Sequence, residues 1–216
     1  ERGQILIDGR APFDYPDVKS RIFFLPDTPY FIHQSNLVEM AAFYNRMYPR
    51  FSYERFNYLT TVFPIDPKMR IASMSKGMQR QAALMLALST QPDYLLLDEA
   101  FDGLDPVIRS VLKRLLAAGI AEQNLTVVIA SHNLRELEDL CDHVSLLHKG
   151  KLIFNDELDA LKGRLHKVQA AFRPLPQADA FAGLDILKSE QQGSLLQMVV
   201  RGEPDEVEER LHRLDP

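Results

Sequence analysis

Three short apolar runs constrain this chain more than any other feature: SRIFFL at 20–25, YLLL at 94–97 and LTVVIA at 125–130. Each is too short for a core helix, and each stops at a turn-forming, charged or polar residue, as strands do. Between the second and third run lies a helical pattern. Pro106 suits a first helical position, Asp105 suits its cap, and Val107, Val111, Leu112 and Leu115 fall along one side. Fully apolar strands alternating with helices predict an α/β fold: a largely parallel sheet covered on both faces.

The rest of the chain is organised around that pattern. Gly3 to Gly9 alternates like a strand. Asn36 and Glu39 form a capping pair that opens a helix ending near Tyr48, before Pro49. A second helix is predicted over Tyr53 to Phe63, with Phe56, Leu59 and Phe63 on one face, and Pro64 and Pro67 mark a loop. Ser75 opens a long helix reaching about Ser89, and another is expected from Asn133 to Cys141. HVSLLH and KLIFN, joined at Lys149-Gly150, read as a hairpin. From about Lys167 the texture changes: KVQAAF, LDILKSE and SLLQMVV read as strands, EQQGS as a turn and PDEVEERLHRL as a helix. This gives a core over 1–161 with a helix-rich insert at about 26–90, and a small C-terminal α+β appendage over 167–216.

Composition narrows the partners. The 216 residues carry a net charge of -5, which argues against nucleic acid, since phosphate binding wants a basic footprint. One cysteine, Cys141, leaves no internal disulfide framework and fits a reducing cytosol. No apolar run reaches the length of a membrane span.

Four places carry candidate chemistry. Asp98 and Glu99 leave the end of an apolar strand, where ligands of open parallel sheets gather. One carboxylate there can hold Mg²⁺ and its neighbour can polarise a water. The plain alternative is two solvated acids. In MSKGMQRQ, Ser75 can cap the helix and Gly77 lies in its first turn, where backbone amides favour an anion. The alternative is an ordinary N-capped amphipathic helix. His132 follows the strand LTVVIA and can hydrogen-bond a terminal phosphate, or simply cap a helix. Asp27, after SRIFFLP, faces the same crevice or is a loop acid. The other histidines show no spacing that suggests a metal site.

Taken in order, these segments resemble the nucleotide-binding subunits of ABC transporters. SKGMQ is similar to their signature segment, LLLDEA to Walker B, GLD to the D-loop and Ser131-His132 to the switch histidine. The resemblance covers about Gly3 to Leu161 and implies a P-loop NTPase-like fold, ATP and Mg²⁺. It implies that Asp98 places Mg²⁺, that Glu99 acts as base or water-polariser and that His132 contacts the γ-phosphate. Ser75 and Gly77 would reach ATP on an opposite subunit of a head-to-tail dimer, with Asp105 at that interface. SKGM, with Lys76 and Met78, is the variant associated with bacterial drug and antibiotic export. The Q-loop position holds Asp27 instead of Gln.

No G-x-x-x-x-G-K-[ST] occurs in the chain, and ERGQILIDG resembles the segment that follows that element in the family. The expectation is therefore an incomplete copy of an exporter ATPase, inactive by itself. It would work on the cytoplasmic face of the membrane, with a second nucleotide-binding subunit and a separate permease docked on the insert, where Tyr30 and Phe31 are either contacts or buried within the insert. A soluble ABC-type ATPase acting on nucleic acid or ribosomes, and a non-catalytic module of the same fold, are the alternatives.

Overall fold

β1 (Ile22–Leu25), β2 (Tyr94–Asp98) and β3 (Thr126–Ala130) lie side by side in that order, all parallel. The computed structural model describes residues 3–13, 15–133, 137–172 and 178–214. Phe23 stands opposite Leu95, and Leu95 opposite Val127. Leu25, Leu97 and Ile129 form the next such row. Because side chains alternate along a strand, these rows share one face, and Phe23, Leu25, Leu95 and Leu97 on it are buried.

The other face is a correction to the sequence reading. Phe24 is 57% exposed and Val128 is 55% exposed, and both sit in one row with Leu96. Among the described residues nothing buries them. The α/β class and the parallel sheet hold; cover on both faces does not. Apolar runs report that a strand prefers burial, and only a neighbouring element can supply it. Gly3 to Gly9 differs for the same reason. It pairs only through an Ile7–Arg10 bridge around a turn at Asp8-Gly9, and Ile5 is exposed.

α4 (Lys76–Ser89) is the central helix of the first unit. Every residue from Arg80 to Ser89 is buried, with Ala82, Leu84, Met85 and Ala87 at zero exposure. Full burial of a Leu or Met side chain stabilises by about 1.5–3 kcal/mol. Its buried hydroxyls are satisfied locally: Ser89 Oγ donates to the Met85 carbonyl, and Thr90 Oγ1 to the Ala87 carbonyl.

The insert forms as its caps dictate. α2 (Leu37–Met47) starts at Asn36, whose side chain accepts from the Glu39 amide while the Glu39 carboxylate accepts from the Asn36 amide. α3 (Tyr53–Val62) starts at Ser52 and buries Phe56 and Leu59, followed by Phe63. Phe23 of β1 lies 5.6 Å from the Tyr44 ring and 5.5 Å from the Tyr48 ring of α2 and its C-cap. Burial, with Tyr48 adding to it, pushes the Tyr44 phenol up to about 12.

The start of the sheet is held by charge. Tyr94 Oη donates to Asp8 at 2.6 Å, Arg21 pairs with Asp8 at 2.9 Å and also with Asp93, and Arg50 pairs with Asp93 at 2.5 Å. The Tyr94 hydroxyl and Arg21 hold the Asp8 carboxyl below its ordinary value. For Asp93, burial pulls upward, but the hydrogen bonds from Arg21 and Arg50 outweigh it and the net shift is downward.

α5 (Pro106–Gln123) runs from β2 to β3. Its apolar stripe is Ile108, Leu112, Leu115 and Leu116, whereas Val107 is exposed. The expected stripe was right at Leu112 and Leu115 and out of phase at Val107. The helix expected from Asn133 to Cys141 falls partly on 134–136, outside the described residues.

The chain divides into two compact units, Glu1–Leu140 and Cys141–Pro216. That division comes earlier than the 161–167 texture change because the hairpin pairs with itself. β4 (His143–His148) and β5 (Lys151–Glu157) are antiparallel across Lys149 and Gly150, both at positive φ, as a tight hairpin turn requires. α6 (Leu158–Arg164) leads into β6 (Leu165–Ala171). β7 (Asp185–Gln192) and β8 (Leu195–Arg201) complete an antiparallel sheet in the order β6-β8-β7. α7 (Pro204–His212) buries Val207 and Leu211 in one cluster with Met198 and Val200.

Candidate functional site

The parallel register brings three strand ends to one edge of the sheet. Asp98 is the last residue of β2 and stands opposite Ala130, the last of β3. Asp27 follows β1 by two residues. The polar residues that matter therefore leave the sheet together, as their positions after apolar runs predict.

Glu99 makes the sharp exit from β2. Its φ is 48°, in the left-handed region, which costs a non-glycine residue about 1–3 kcal/mol. The surrounding hydrogen bonds hold it there. Its amide donates to the Ala130 carbonyl at 2.9 Å, and its carbonyl accepts from the Asp102 amide at 3.1 Å. Its side chain points to the residues after β3: Oε1 accepts from the His132 amide at 3.2 Å and lies 3.0 Å from His132 Nδ1. Oε2 is buried and has no hydrogen-bond partner among the described residues. One ligand atom each from Glu99, Asp102 and His132 all lie within 4.8 Å of one another.

The start of α4 adjoins the turn after Glu99. Ser75 Oγ accepts from the Met78 amide at 3.2 Å, so its hydroxyl caps the helix and still has a proton to donate. Gly77 sits against Gly103. A Cβ added at Gly77 would meet the Gly103 carbonyl oxygen at 2.6 Å, closer than real contacts allow. Gln79 Nε2 donates to the Ile71 and Met74 carbonyls, fixing the segment that leads into the helix. Asp105 accepts from the Val107 and Ile108 amides at 3.0 Å each and caps α5, with Pro106 at its first position.

The structure thus joins Glu99 directly to His132 and Asp102, and Gly77 to the turn at Gly103. Asp27 takes a different partner. Its carboxylate accepts from Arg80 Nη2 at 2.8 Å, and Arg80 Nη1 also reaches the Pro26 carbonyl at 3.4 Å. The Arg80 side chain is 9% exposed, so Asp27 neutralises a nearly buried charge. Two residues of this cluster escaped the sequence reading. Asp102 sits in a Phe-Asp-Gly segment that reads as turn filler, and Arg80 reads as a solvated helix residue. The signal for Arg80 is its place in a helix that is apolar all round from Ala82 onward.

The donor set fits part of a magnesium–nucleotide site. Asp98 and Glu99 are adjacent oxygen donors, and Glu99 Oε2 is buried with no hydrogen-bond partner among the described residues. The residues present do not supply the lysine and glycine-rich amides that surround the β- and γ-phosphates, because no such motif lies within the 216 residues. No helix among the described residues is long and apolar enough to cross a membrane.

Comparison with known proteins identifies the family of this fold. A family profile described as "AAA domain, putative AbiEii toxin, Type IV TA system" matches residues 5–138. The ABC transporter ATP-binding protein YtrB of Bacillus subtilis is 30% identical over 172 residues, covering 80% of this chain and 59% of YtrB. The bacitracin transport ATP-binding protein BcrA of Bacillus licheniformis is 38% identical over 102 residues, 47% of this chain and 33% of BcrA. The ABC transporter ATP-binding protein NatA of Bacillus subtilis is 30% identical over 168 residues, 74% of this chain and 68% of NatA. The chain therefore spans less than two thirds of YtrB and about one third of BcrA. A solved ATP-binding subunit of an ABC transporter superposes with a TM-score of 0.67 at 25% identity, over 74% of this chain and 69% of that one. With 30% identity across 68% of NatA and a parallel sheet that superposes on a solved ATP-binding subunit, the chain belongs to the family of ABC transporter ATP-binding proteins.

Proposed function

We propose that this chain is the ATP-hydrolysing part of a bacterial exporter, and that its phosphate loop lies outside these 216 residues. The observation that carries the reading is the Glu99–His132 pair, built at the C-terminal edge of the sheet directly after Asp98. Asp98 would hold Mg²⁺, which when bound neutralises phosphate charge. Glu99 orients the attacking water and accepts its proton, for which a mostly buried carboxylate on a fixed backbone is suited. His132 is positioned by Glu99 through Nδ1, so Nε2 is the nitrogen that meets the terminal phosphoryl group.

Ser75, Gly77 and Asp105 serve a second nucleotide-binding subunit in this reading. Ser75 keeps its proton for a phosphate oxygen, and the exposed Asp105 end of α5 faces the partner. Asp27 has a lesser part than the resemblance implies: Arg80 holds its carboxylate, so it contributes through that ion pair. A separate permease would dock on the insert, where Tyr30 is 74% exposed. That assembly would place the subunit at the cytoplasmic face of the membrane. The bacitracin transport role in the name of BcrA supports a drug-export cargo.

The test uses the coding sequence extended upstream of Glu1. Glu99→Gln should lower ATP turnover by about 10²–10⁴-fold, the usual worth of a general base, while ATP-induced dimers persist. Unchanged steady-state hydrolysis would remove Glu99 from this role. The 216-residue chain alone should bind Mg-ATP poorly, and tight binding would refute an external phosphate loop.

A further inference from the structure

Glu99, Asp102 and His132 form a three-ligand constellation in which Asp102 has no part in the nucleotide chemistry proposed above. Their ligand atoms lie within 4.8 Å of one another. Each is delivered by a fixed backbone. Glu99 and Asp102 are joined by the hydrogen bond from the Asp102 amide to the Glu99 carbonyl, and His132 follows β3, whose last residue accepts from the Glu99 amide. Glu99 also carries a second, independent mark: Oε2 is buried without a hydrogen-bond partner among the described residues. A buried carboxylate oxygen left in this state gains more from a cation than a solvated one does.

The donor chemistry selects the ion. Magnesium takes oxygen ligands in a near-ideal octahedron and keeps several waters. An imidazole with two carboxylates suits the later divalent transition metals instead. Three protein ligands and an open fourth position is the arrangement of accessible zinc sites. Zinc bonds of about 2.0–2.2 Å at tetrahedral angles place ligand atoms about 3.4 Å apart. The 3.0 Å between His132 Nδ1 and Glu99 Oε1 is already near that spacing. The ligand atom of Asp102 lies within 4.8 Å of those of Glu99 and His132.

We propose that Glu99, Asp102 and His132 bind a divalent transition-metal ion, with Zn²⁺ as the probe, and that the bound ion withdraws Glu99 and His132 from water and phosphate. Binding stands on the geometry alone. Inhibition rests on the function proposed above.

The experiment is calorimetric titration of ZnCl₂ into the 216-residue protein with millimolar Mg²⁺ present. One site should titrate, and zinc should raise the melting temperature. Asp102→Asn and His132→Ala should each weaken binding by about tenfold or more and remove the zinc-dependent rise. Their melting temperatures without zinc report whether they fold. His143→Ala, in the other compact unit, should bind as the unaltered protein does. Equal zinc affinity with and without Asp102→Asn, loss of binding in His143→Ala instead, or full displacement by Mg²⁺ would overturn the proposal. In the upstream-extended protein, zinc should inhibit ATP turnover, and Asp102→Asn should shift the inhibitory concentration upward by about tenfold. Absence of any turnover there would count against the proposed function and leave the zinc titration standing. Turnover insensitive to zinc in a protein that binds it would overturn the inhibitory half.

Discussion

Gly77→Ala is the substitution whose outcome the structure fixes most closely. The added Cβ would sit 2.6 Å from the Gly103 carbonyl oxygen, while its next nearest contact, the Gly103 carbonyl carbon, is at 3.7 Å. The clash is thus a single one, against backbone, in a turn whose own glycine holds φ at 72°. Gly77 is the second residue of α4, so alanine gains some helix propensity, up to about 1 kcal/mol in a helix interior and less in a first turn. Overpacking of this kind costs about 1–3 kcal/mol. The clash should win, with a net loss of about 1–2 kcal/mol. For a chain of this length that lowers the melting temperature by about 2–8 °C. Thermal and urea denaturation of the 216-residue protein without nucleotide measure it. This choice matters, because a glycine kept only for phosphate approach would leave the nucleotide-free fold unharmed. A variant as stable as the original, or more stable, would show that the 101–105 turn retreats freely and that close packing is not why glycine stands here.

Two further outcomes follow from the charge arrangement. Asp27→Ala leaves the nearly buried Arg80 with only the Pro26 carbonyl among the described residues, and should cost about 1–2 kcal/mol in urea unfolding, held low because Asp27 itself is well exposed. Adding Arg80→Met should recover most of that loss; no loss on the single change would mean water solvates Arg80 adequately. The Asp8 and Asp93 carboxyls lie below their ordinary 3.8, so their stabilisation is complete above that pH and disappears as pH falls through the folded values beneath it. Asp93→Asn should therefore flatten the stability loss below pH 3.8 in an acid titration followed by circular dichroism, and an unchanged acid slope would refute the assignment.

What could be read from sequence was mostly local. The Asn36–Glu39 box, the Ser75 and Asp105 caps, Pro106 at a first helical position and the Lys149-Gly150 turn all depend on residues within a few positions of one another. The alignment of Asp98, Glu99 and His132 was also legible, because strands that end in polar residues must release them at one edge once they run parallel. What escaped depends on distant partners. Gly3 to Gly9 has the right alternation, yet a strand needs a neighbour to complete its ladder. Phe24 and Val128 look like core and are exposed, since nothing in their own segment says which face will be covered. Arg80 finds Asp27 across more than fifty positions, and Asp102 gains its meaning only when the turn folds back on Glu99.

The hydrogen bonds of Glu99 have one more consequence. Its amide is tied to the residue ending β3, its carbonyl to the turn that carries Asp102 and Gly103, and its side chain to His132. Gly103 in turn rests on the first turn of α4. One residue therefore ties three segments together through its amide, its carbonyl and its side chain. A gain of charge, a proton or a water at its carboxylate alters the bond to His132, and the same rigid exit from β2 relays any tilt to the Gly103 turn. A change at one oxygen therefore bears on three segments at once: the end of β3, the turn at Asp102 and Gly103, and His132. Oε2, buried and without a hydrogen-bond partner among the described residues, is the natural place for such a change to begin.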